Sequence, residues 1–270
     1  MTPAPLIDAL DAMRFGGKAA SLARSLRAGL PVPPGFALDT ALVDAVFDGH
    51  TDRVVALRAE FAALAGPCAV RSSAIGEDSE DASFAGQHVT VLNVRREDQV
   101  VDAVLKVRES AHTESARAYR RTLGMDETPR VGVVVQRMIE PDCAGVLFTK
   151  NPLTGADERV IEASWGLGEA VVAGLVVPDN YALDEHGRVL RRTPGEKDVA
   201  LRPSPDGGTH EEAVAEDLAG ALCLDDAMLG ELHRLAQLCE SCFGKGLDLE
   251  WAFAAGRLYL LQCRAITRSR

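Results

Sequence analysis

The strongest constraint on the fold is a change of pattern near residue 131, where helical spacing gives way to short apolar runs. The runs VGVVVQRMI, AGVLFT and ERVIEA have the length and β-branched content of strands, and the turn-like segment NPLTGAD precedes the third. Two later pairs of runs meet at His186-Gly187 and at Ala255-Gly256, which indicates hairpins. The second half is therefore predicted to contain antiparallel strands.

The first half has helical patterns separated by loops. Small and apolar residues at helical spacing, followed by Gly29, predict a helix that starts at Gly16-Gly17-Lys18. The run CAVRSSAIGEDSEDASFAGQHVTVLNV predicts a strand, a loop rich in Ser, Gly and acids, and a second strand. A long helix is expected from about Glu97 to Arg121, ending at Gly124. The polar stretch from Pro194 to Thr209 is expected to be a loop.

These patterns predict a mixed α/β protein with two lobes. At 270 residues, 47% of them hydrophobic, the chain is long enough for one large domain or two lobes. Because the β pattern begins at Val131, we expect lobes at 1–130 and 131–270.

Charge and composition exclude several classes of function. The formal net charge of −11 argues against a broad nucleic-acid or membrane surface, since such partners are bound by clustered Lys and Arg. The chain has no apolar run long enough to cross a bilayer and does not start with a basic and then apolar leader. The six cysteines are too sparse for a disulfide scaffold. We expect a cytoplasmic protein, and we interpret the isolated Cys239-x-x-Cys242 pair as helix packing.

Two segments of the first half have the chemistry of phosphate binding. Gly16 and Gly17 would let backbone N–H groups approach a phosphate at a helix N-terminus, and Lys18 adds a positive charge. Arg71, at the end of an apolar strand, has a guanidinium fork suited to phosphate oxygens. The alternatives are a glycine turn with a solvated lysine, and an arginine paired with the acids of the following loop.

The C-terminal hairpin carries polar residues on both of its strands. Asp248 and Glu250 share one strand face, as do Gln262 and Arg264 on the other strand. A carboxylate and an amide oxygen are hard ligands of the kind that Mg²⁺ takes in nucleotide sites. The alternative is a surface hairpin with a Glu–Arg pair.

Other polar residues allow two interpretations each. Gln136 lies in the strand VVVQRMI, either near an adenine edge or as an ordinary core amide. The run Ser164–Glu169 is either a loop that faces a ligand or a packed turn around Trp165. The six histidines lack a metal-binding context and are expected to be structural or solvated.

In their order along the chain, these segments resemble one known domain. GGKAASLARSLRAGLPVPPGFALDT, CAVRSSAIGEDSEDASFAGQHVTVLNV, VVVQRMI, AGVLFTKNP, EASWGLGEAVVAGLVVPDNY and LDLEWAF with LYLLQCRAIT are similar to the N-terminal nucleotide-binding domain shared by phosphoenolpyruvate synthase, pyruvate phosphate dikinase and rifampin phosphotransferase. The resemblance covers nearly the whole chain. It implies an ATP-grasp fold with the nucleotide in the cleft between two lobes.

The resemblance also implies roles for particular residues. Lys18 and Arg71 would hold phosphates, with Arg264 at the transferring phosphates, and these three are the expected catalytic residues. The glycine-rich loop side would be lined by Gly86 and Thr90, and Gln136 would border the adenine. The expected cofactors are ATP and Mg²⁺, with Glu250 and Gln262 on the metal side.

The family cleaves ATP to AMP and passes the β-phosphoryl to a histidine on a separate swivelling domain. No Gly-Gly-x-x-Ser/Cys-His motif occurs in this chain, so we expect the histidine domain and the acceptor domain in another chain or in a missing remainder. The final acceptor is left open among pyruvate, an antibiotic hydroxyl and a phenol.

The sequence departs from the family at two positions without losing a phosphate ligand. Ala265 follows Arg264 where proline is usual, and Ala20 stands where glycine is usual. Two other functions stay open: a sensor of ATP or AMP without turnover, and a stand-alone ATP-grasp ligase.

Overall fold

The computed structural model describes residues 2–76, 89–114, 121 and 129–266. The chain forms two compact units. The first comprises Met1–Arg27, Pro33–Met138 and Ser204–Gly208, and the second comprises Ala28–Val32, Ile139–Pro203 and Thr209–Arg270. The mixed α/β class predicted from the sequence is confirmed, and the named sheets consist of antiparallel pairs.

The first unit is built on a five-stranded sheet in the order β1-β2-β5-β3-β4. Its strands are β1 (Ala4–Pro5), β2 (Gly35–Leu38), β3 (Cys68–Ala74), β4 (Thr90–Val94) and β5 (Val131–Arg137). Strands β3 and β5 form the centre of the sheet, and β3 is buried along its whole length.

Helices cover the sheet of the first unit. They are α1 (Ala12–Phe15), α2 (Gly17–Arg27), α3 (Thr40–Phe47), α4 (Thr51–Ala63) and α5 (Glu97–Ala111), after a short 3-10 turn at Leu6–Asp8. Apolar side chains of α3, α4 and α5 form one core with alternate residues of β3 and β5, such as Val70 and Val133. The remaining residues of these strands therefore face the side on which α2 packs.

The second unit is built on a six-stranded sheet in the order β13-β12-β6-β7-β8-β9. Its strands are β6 (Cys143–Phe148), β7 (Arg159–Trp165), β8 (Asp179–Leu183), β9 (Val189–Thr193), β12 (Leu247–Ala254) and β13 (Arg257–Ala265). The predicted hairpins turn at Gly187 and at Ala255-Gly256, which all have positive φ, and this confirms both turn predictions.

Strands β10 (Val199–Pro203) and β11 (Thr209–Ala213) pair in a separate two-stranded sheet. The prediction of a loop from Pro194 to Thr209 was therefore wrong. The segment is polar because β11 is exposed along most of its length, so it lacks the apolar alternation by which a half-buried strand is recognised. Helices α6 (Glu169–Val172), α7 (Glu216–Ala219) and α8 (Asp226–Phe243) complete the second unit.

Two other boundaries differ from expectation. Helix α5 ends at Ala111, earlier than the expected Arg121, and the expected stop at Gly124 lies outside the described residues. Strand β5 belongs to the first unit, because it pairs with both β2 and β3, so the compact units divide after Met138. Among the described residues, no helix combines the length and hydrophobicity needed to cross a bilayer.

A buried ion pair fixes the connections of the second unit. Asp179 and Lys197 both have 0% side-chain exposure, and Lys197 Nζ lies 2.5 Å from Asp179 Oδ1. Asp179 also accepts hydrogen bonds from the backbone N–H groups of Gly195 and Cys223, both at 2.8 Å. The Tyr181 hydroxyl donates a further hydrogen bond to Asp179 Oδ2 at 3.3 Å. One carboxylate thus ties the start of β8 to two later segments, and four donors satisfy the buried charge.

Replacing one partner of this pair should destabilise the protein strongly. Lys197→Met leaves the Asp179 carboxylate buried without its cation, so we expect the free energy of unfolding to fall by about 3–5 kcal/mol. Lys150→Met is the matched control: Lys150 and Asp157 lie 3.8 Å apart and are largely exposed, so the loss should stay below about 1 kcal/mol. Urea titration followed by circular dichroism measures both. Equal losses in the two variants would contradict the structural role of Asp179.

Candidate nucleotide-binding site

The Gly16-Gly17-Lys18 segment lies directly against strand β3. Helix α2 begins at Gly17, as predicted, and the backbone N–H of Ala19 donates to Ser73 Oγ at 2.9 Å. A Cβ atom on Gly16 would lie 1.8 Å from the carbonyl oxygen of Ser73, and Gly16 has φ of 86°. Only glycine fits there, so the glycine fixes the position of the helix N-terminus on the strand.

Lys18 is in the first turn of this helix and only 8% exposed. A lysine is rarely that buried without a polar partner or a ligand nearby. The ammonium group is therefore held close to the fold instead of extending into solvent, which weakens the alternative of a solvated lysine.

Three more predicted residues lie on the α2 side of the first sheet. Arg71 and Thr90 are directly opposite each other on β3 and β4, and Gln136 of β5 is opposite Ala69, two residues before Arg71. Residues opposite each other in antiparallel strands have side chains on the same face. Arg71, Thr90 and Gln136 therefore share one face, the face that carries Ser73 and the start of α2.

Arg71 and Gln136 are buried, at 8% and 3% exposure. Gln136 Nε2 donates to the backbone carbonyl of Pro33 at 3.1 Å. That bond satisfies the amide nitrogen of Gln136 and is the ordinary interaction of a core glutamine. Gly86, the other residue expected on the glycine-rich loop side, lies outside the described residues, as do the acids Glu77 to Asp81 that offered the alternative partners for Arg71.

The six-stranded sheet of the second unit has two chemically different faces. One face carries Leu249, Trp251 and Phe253 of β12, which are buried together with the apolar side chains of helix α8, such as Leu232 and Ala236. The alternate residues of the same strand, Asp248 and Glu250, point to the other face. We refer to this second face as the polar face.

Glu250 and Gln262 are directly opposite each other on β12 and β13, and Asp248 is opposite Arg264. The polar residues of the two strands therefore lie on the same face of the sheet. A β-bulge places Leu261 as an extra residue in β13, because Trp251 is opposite Leu260 while Glu250 is opposite Gln262.

The ion pair of this hairpin joins Asp248 and Arg264. Arg264 Nε and Nη2 lie 2.9 Å and 2.7 Å from Asp248 Oδ2. Burial raises the pKa of Asp248 above its ordinary value, and the nearby Glu250 carboxylate adds to the rise, although Arg264 acts in the opposite direction. Removing Arg264 would therefore leave two half-buried carboxylates close together without a cation.

The donor set of the hairpin fits a magnesium ion bound together with phosphates. Glu250 supplies a carboxylate and Gln262 an amide oxygen from adjacent strands, and Gln262 is 4% exposed. Among the described residues there is no cluster of three or more His, Cys, Asp or Glu of the kind that holds a metal by protein ligands alone. Mg²⁺ takes few protein ligands in nucleotide sites, where phosphates and water complete its shell.

Several other polar residues have structural roles. Ser164 and Trp165 end β7 and Glu169 begins α6, so residues 166–168 form the turn between them. The turn is packed: Trp165 Nε1 donates to the carbonyl of Leu218 at 3.0 Å, and the backbone N–H of Leu167 donates to the carbonyl of Leu201 at 3.0 Å. His233 is buried against Arg159, and burial lowers its pKa. Cys239 and Cys242 lie in α8, as expected, and none of the six cysteines, all of which lie within the described residues, forms a disulfide.

Sequence reasoning missed two polar groups near these residues. Ser73 orients the start of α2 through its hydroxyl, which no sequence pattern distinguishes from an ordinary strand serine. Glu162 lies on the polar face of β7, opposite Val146. The sequence does contain a signal for Glu162: this residue interrupts the apolar run ERVIEA in the same way as Glu250 interrupts LDLEWAF.

The two units thus each present a sheet face with buried or half-buried polar residues, cationic in the first and acidic with one arginine in the second. These features are typical of a protein that binds a phosphorylated ligand with a metal ion.

Residues 50–270 match the family model of the pyruvate phosphate dikinase AMP/ATP-binding domain. The chain belongs to this family.

Curated relatives agree with this family. The chain is 34% identical to a probable phosphoenolpyruvate synthase of Archaeoglobus fulgidus, over 98% of this chain and 41% of the relative. It is 42% identical to a rifampicin phosphotransferase of Streptomyces sp, over 74% of this chain and 23% of the relative. It is 37% identical to the prodigiosin synthesizing transferase PigC of Serratia marcescens, over 96% of this chain and 32% of the relative. The chain therefore spans less than half the length of these relatives.

Among solved structures, the chain is similar to the D-alanine–D-alanine ligase of Bacillus anthracis complexed with ATP. The TM-score is 0.41 at 11% identity, and the match covers 94% of this chain and 55% of the ligase.

The close contact at Gly16 generates a prediction. Gly16→Ala should weaken triphosphate binding and lower the melting temperature, because the new methyl group collides with Ser73 and moves the start of α2 away from β3. Gly29→Ala is the matched control: Gly29 also has positive φ, but a Cβ atom there meets nothing within 4 Å. It should cost only about 1 kcal/mol of backbone strain and leave binding intact. Calorimetric titration with Mg-ATP distinguishes them, and equal effects on affinity would contradict the role of the glycine.

Proposed function

We propose that this chain is the Mg-ATP-binding ATP-grasp part of a dikinase-type phosphotransferase. It would bind ATP, cleave it to AMP, and pass the β-phosphoryl to a histidine on a separate domain or subunit. The observation that carries the proposal is the Glu250–Gln262 pair with Arg264 beside it, in a chain whose family binds AMP or ATP. Relatives described as phosphotransferases support transfer in preference to sensing or ligation.

The proposal gives each unit a different part of the nucleotide. In the first unit Lys18 and Arg71 would hold phosphates, Gly86 and Thr90 would line the loop side, and Gln136 would border the adenine. The burial of Lys18, Arg71 and Gln136 supports this assignment, because each can reach a ligand only at a defined position.

In the second unit Glu250 and Gln262 would hold Mg²⁺. The bound ion supplies charge neutralisation between adjacent phosphates. Arg264 is already oriented by Asp248, so its guanidinium needs little rearrangement to stabilise negative charge on the transferring group. An oriented cation of this kind contributes more to catalysis than a mobile one.

The protein's contribution would be positioning of the nucleotide. A histidine ring nitrogen of the partner domain would attack the β-phosphorus, the bond to the α-phosphate bridging oxygen would break, and that oxygen would stay with AMP. The β- and γ-phosphates would thus move together onto the histidine, and attack of water or inorganic phosphate on the γ-phosphorus would then remove the γ-phosphoryl and leave the β-phosphoryl on the histidine. The nucleophile is not among the site residues that we assign, so the chain alone should produce little AMP.

Binding of Mg-ATP should stabilise the folded protein. A ligand that binds only the native state adds about 2.7 kcal/mol at 100 times its Kd. We expect a rise in melting temperature with Mg-ATP and smaller rises with Mg-ADP and AMP. An unchanged melting temperature with all three at millimolar concentration would contradict nucleotide binding.

Substitutions should separate the metal side from the phosphate side. Glu250→Gln should leave AMP affinity nearly unchanged and abolish metal-dependent transfer to the histidine of the partner domain, because one metal ligand is lost. Lys18→Ala and Arg71→Ala should weaken ATP binding more than AMP binding. Calorimetric titration of each variant with ATP and with AMP gives the loss of affinity for each nucleotide relative to the wild type. The assignment fails if all three variants affect AMP equally.

Transfer is tested with ATP labelled at the β-phosphate. The chain is incubated with Mg-ATP, with and without a candidate protein that carries the proposed histidine domain. Label on the partner's histidine together with AMP release supports the proposal. Rapid AMP formation by the chain alone, or label on one of its own histidines, overturns it.

A further inference from the structure

Glu162 lies in one cross-strand row with the metal-side residues. Gln262 is opposite Glu250, Glu250 is opposite Val146, Val146 is opposite Glu162, and Glu162 is opposite Asn180. Residues of such a row have side chains on the same face of the sheet. Glu162 therefore lies on the polar face, two strands from Glu250.

The surroundings of Glu162 are unfavourable for a charge. Its side chain is half-buried, and burial raises its pKa above the ordinary value. Within residues 2–76, 89–114, 121 and 129–266, no hydrogen bond, ion pair or neighbouring charge involves its carboxylate. A half-buried carboxylate without a partner costs stability, and groups of this kind are common at functional sites.

A second polar group beside Glu162 also lacks a partner. Ser164 lies two residues further along β7, hence on the same face, and is 1% exposed. Its Oγ has no hydrogen-bond partner within the described parts of the chain. This stretch of the polar face therefore carries an acceptor and a hydroxyl that no described residue of the chain satisfies.

The separation of Glu162 from Glu250 along this row indicates which part of a bound nucleotide Glu162 would contact. Adjacent strands are about 4.8 Å apart, so the backbones at Glu162 and Glu250 are about 10 Å apart. Only the short side chain of Val146 stands between them. In a metal-bound nucleotide, the ribose follows the metal-bound phosphates at a comparable separation. A carboxylate suits the two ribose hydroxyls, since both are donors and it offers only acceptors.

We propose that Glu162 recognises the ribose, its carboxylate accepting hydrogen bonds from the 2′- and 3′-hydroxyls of a nucleotide whose metal-bound phosphates lie at Glu250 and Gln262. This inference rests on the proposed function. It makes Glu162 the residue that distinguishes ribonucleotides from deoxyribonucleotides, and it explains why an unpaired carboxylate is retained on this face.

The test compares the affinities of Mg-ATP, Mg-2′-deoxy-ATP and Mg-3′-deoxy-ATP by calorimetry. The wild-type chain should prefer ATP to each deoxy form about tenfold, as expected when one hydrogen bond to a charged acceptor is lost. Glu162→Met, which keeps the length of the side chain and removes its acceptors, should weaken ATP about tenfold or more and leave little preference between the three nucleotides. Glu211→Met, at an exposed position of β11, is the control and should change none of the affinities.

Folding of the variant is checked by its melting temperature at pH 8, which should equal or exceed that of the wild type because a buried charge has been removed. If Glu162→Met does not fold, Glu162→Gln replaces it, and the ATP preference should then fall to about threefold, because a neutral acceptor remains.

The outcomes separate this inference from the proposed function. A wild-type chain that fails to bind Mg-ATP contradicts the proposed function. A chain that binds Mg-ATP but shows no ribose preference, or keeps its tenfold preference in Glu162→Met, overturns the role of Glu162 and leaves the proposed function intact.

Discussion

The second unit depends on the division of its six-stranded sheet into an apolar face and a polar face. Burying Trp251, Phe253 and Leu249 against α8 removes a large apolar area from water, at roughly 25 cal/mol per Å². That burial fixes the direction of every alternate residue, so Asp248 and Glu250 have only the other face available. The position of the polar residues is therefore a consequence of hydrophobic packing on the opposite side.

An acidic protein that binds a triphosphate must confine its positive charge to a few positions. With a net charge of −11, the chain as a whole repels polyanions. The cations assigned to phosphates, Lys18, Arg71 and Arg264, lie in regular elements and are buried or half-buried, so they act over short distances. We expect binding to be specific for a ligand that brings its own divalent cation, because the ion offsets the carboxylates of the polar face.

Most of the strands and the shared faces could be predicted from the sequence, because alternation and turn dipeptides are local signals. Alternation also predicted that Asp248 and Glu250 share one face of their strand, and that Gln262 and Arg264 share one face of theirs. The β10–β11 sheet was missed because an exposed pair of strands has no apolar alternation, and the end of α5 was missed because the residues after Ala111 remain compatible with a helix. The Asp179–Lys197 pair, the contact of Gly16 with Ser73 and the row through Glu162 join residues distant in sequence, and no local pattern encodes them.

The β-bulge at Leu261 sets which changes of length the C-terminal hairpin can accept. If the pairing of Trp251 with Leu260 continued without interruption, Gln262 would come opposite Leu249 on the apolar face, and Cys263 would come opposite Asp248. Deleting Leu261 would convert the bulge into a regular ladder and still leave Glu250 opposite Gln262. A single residue inserted between Gln262 and Arg264 would instead move one of them to the wrong face. Natural variation in this hairpin should therefore include loss of the bulged residue and exclude insertions on its C-terminal side.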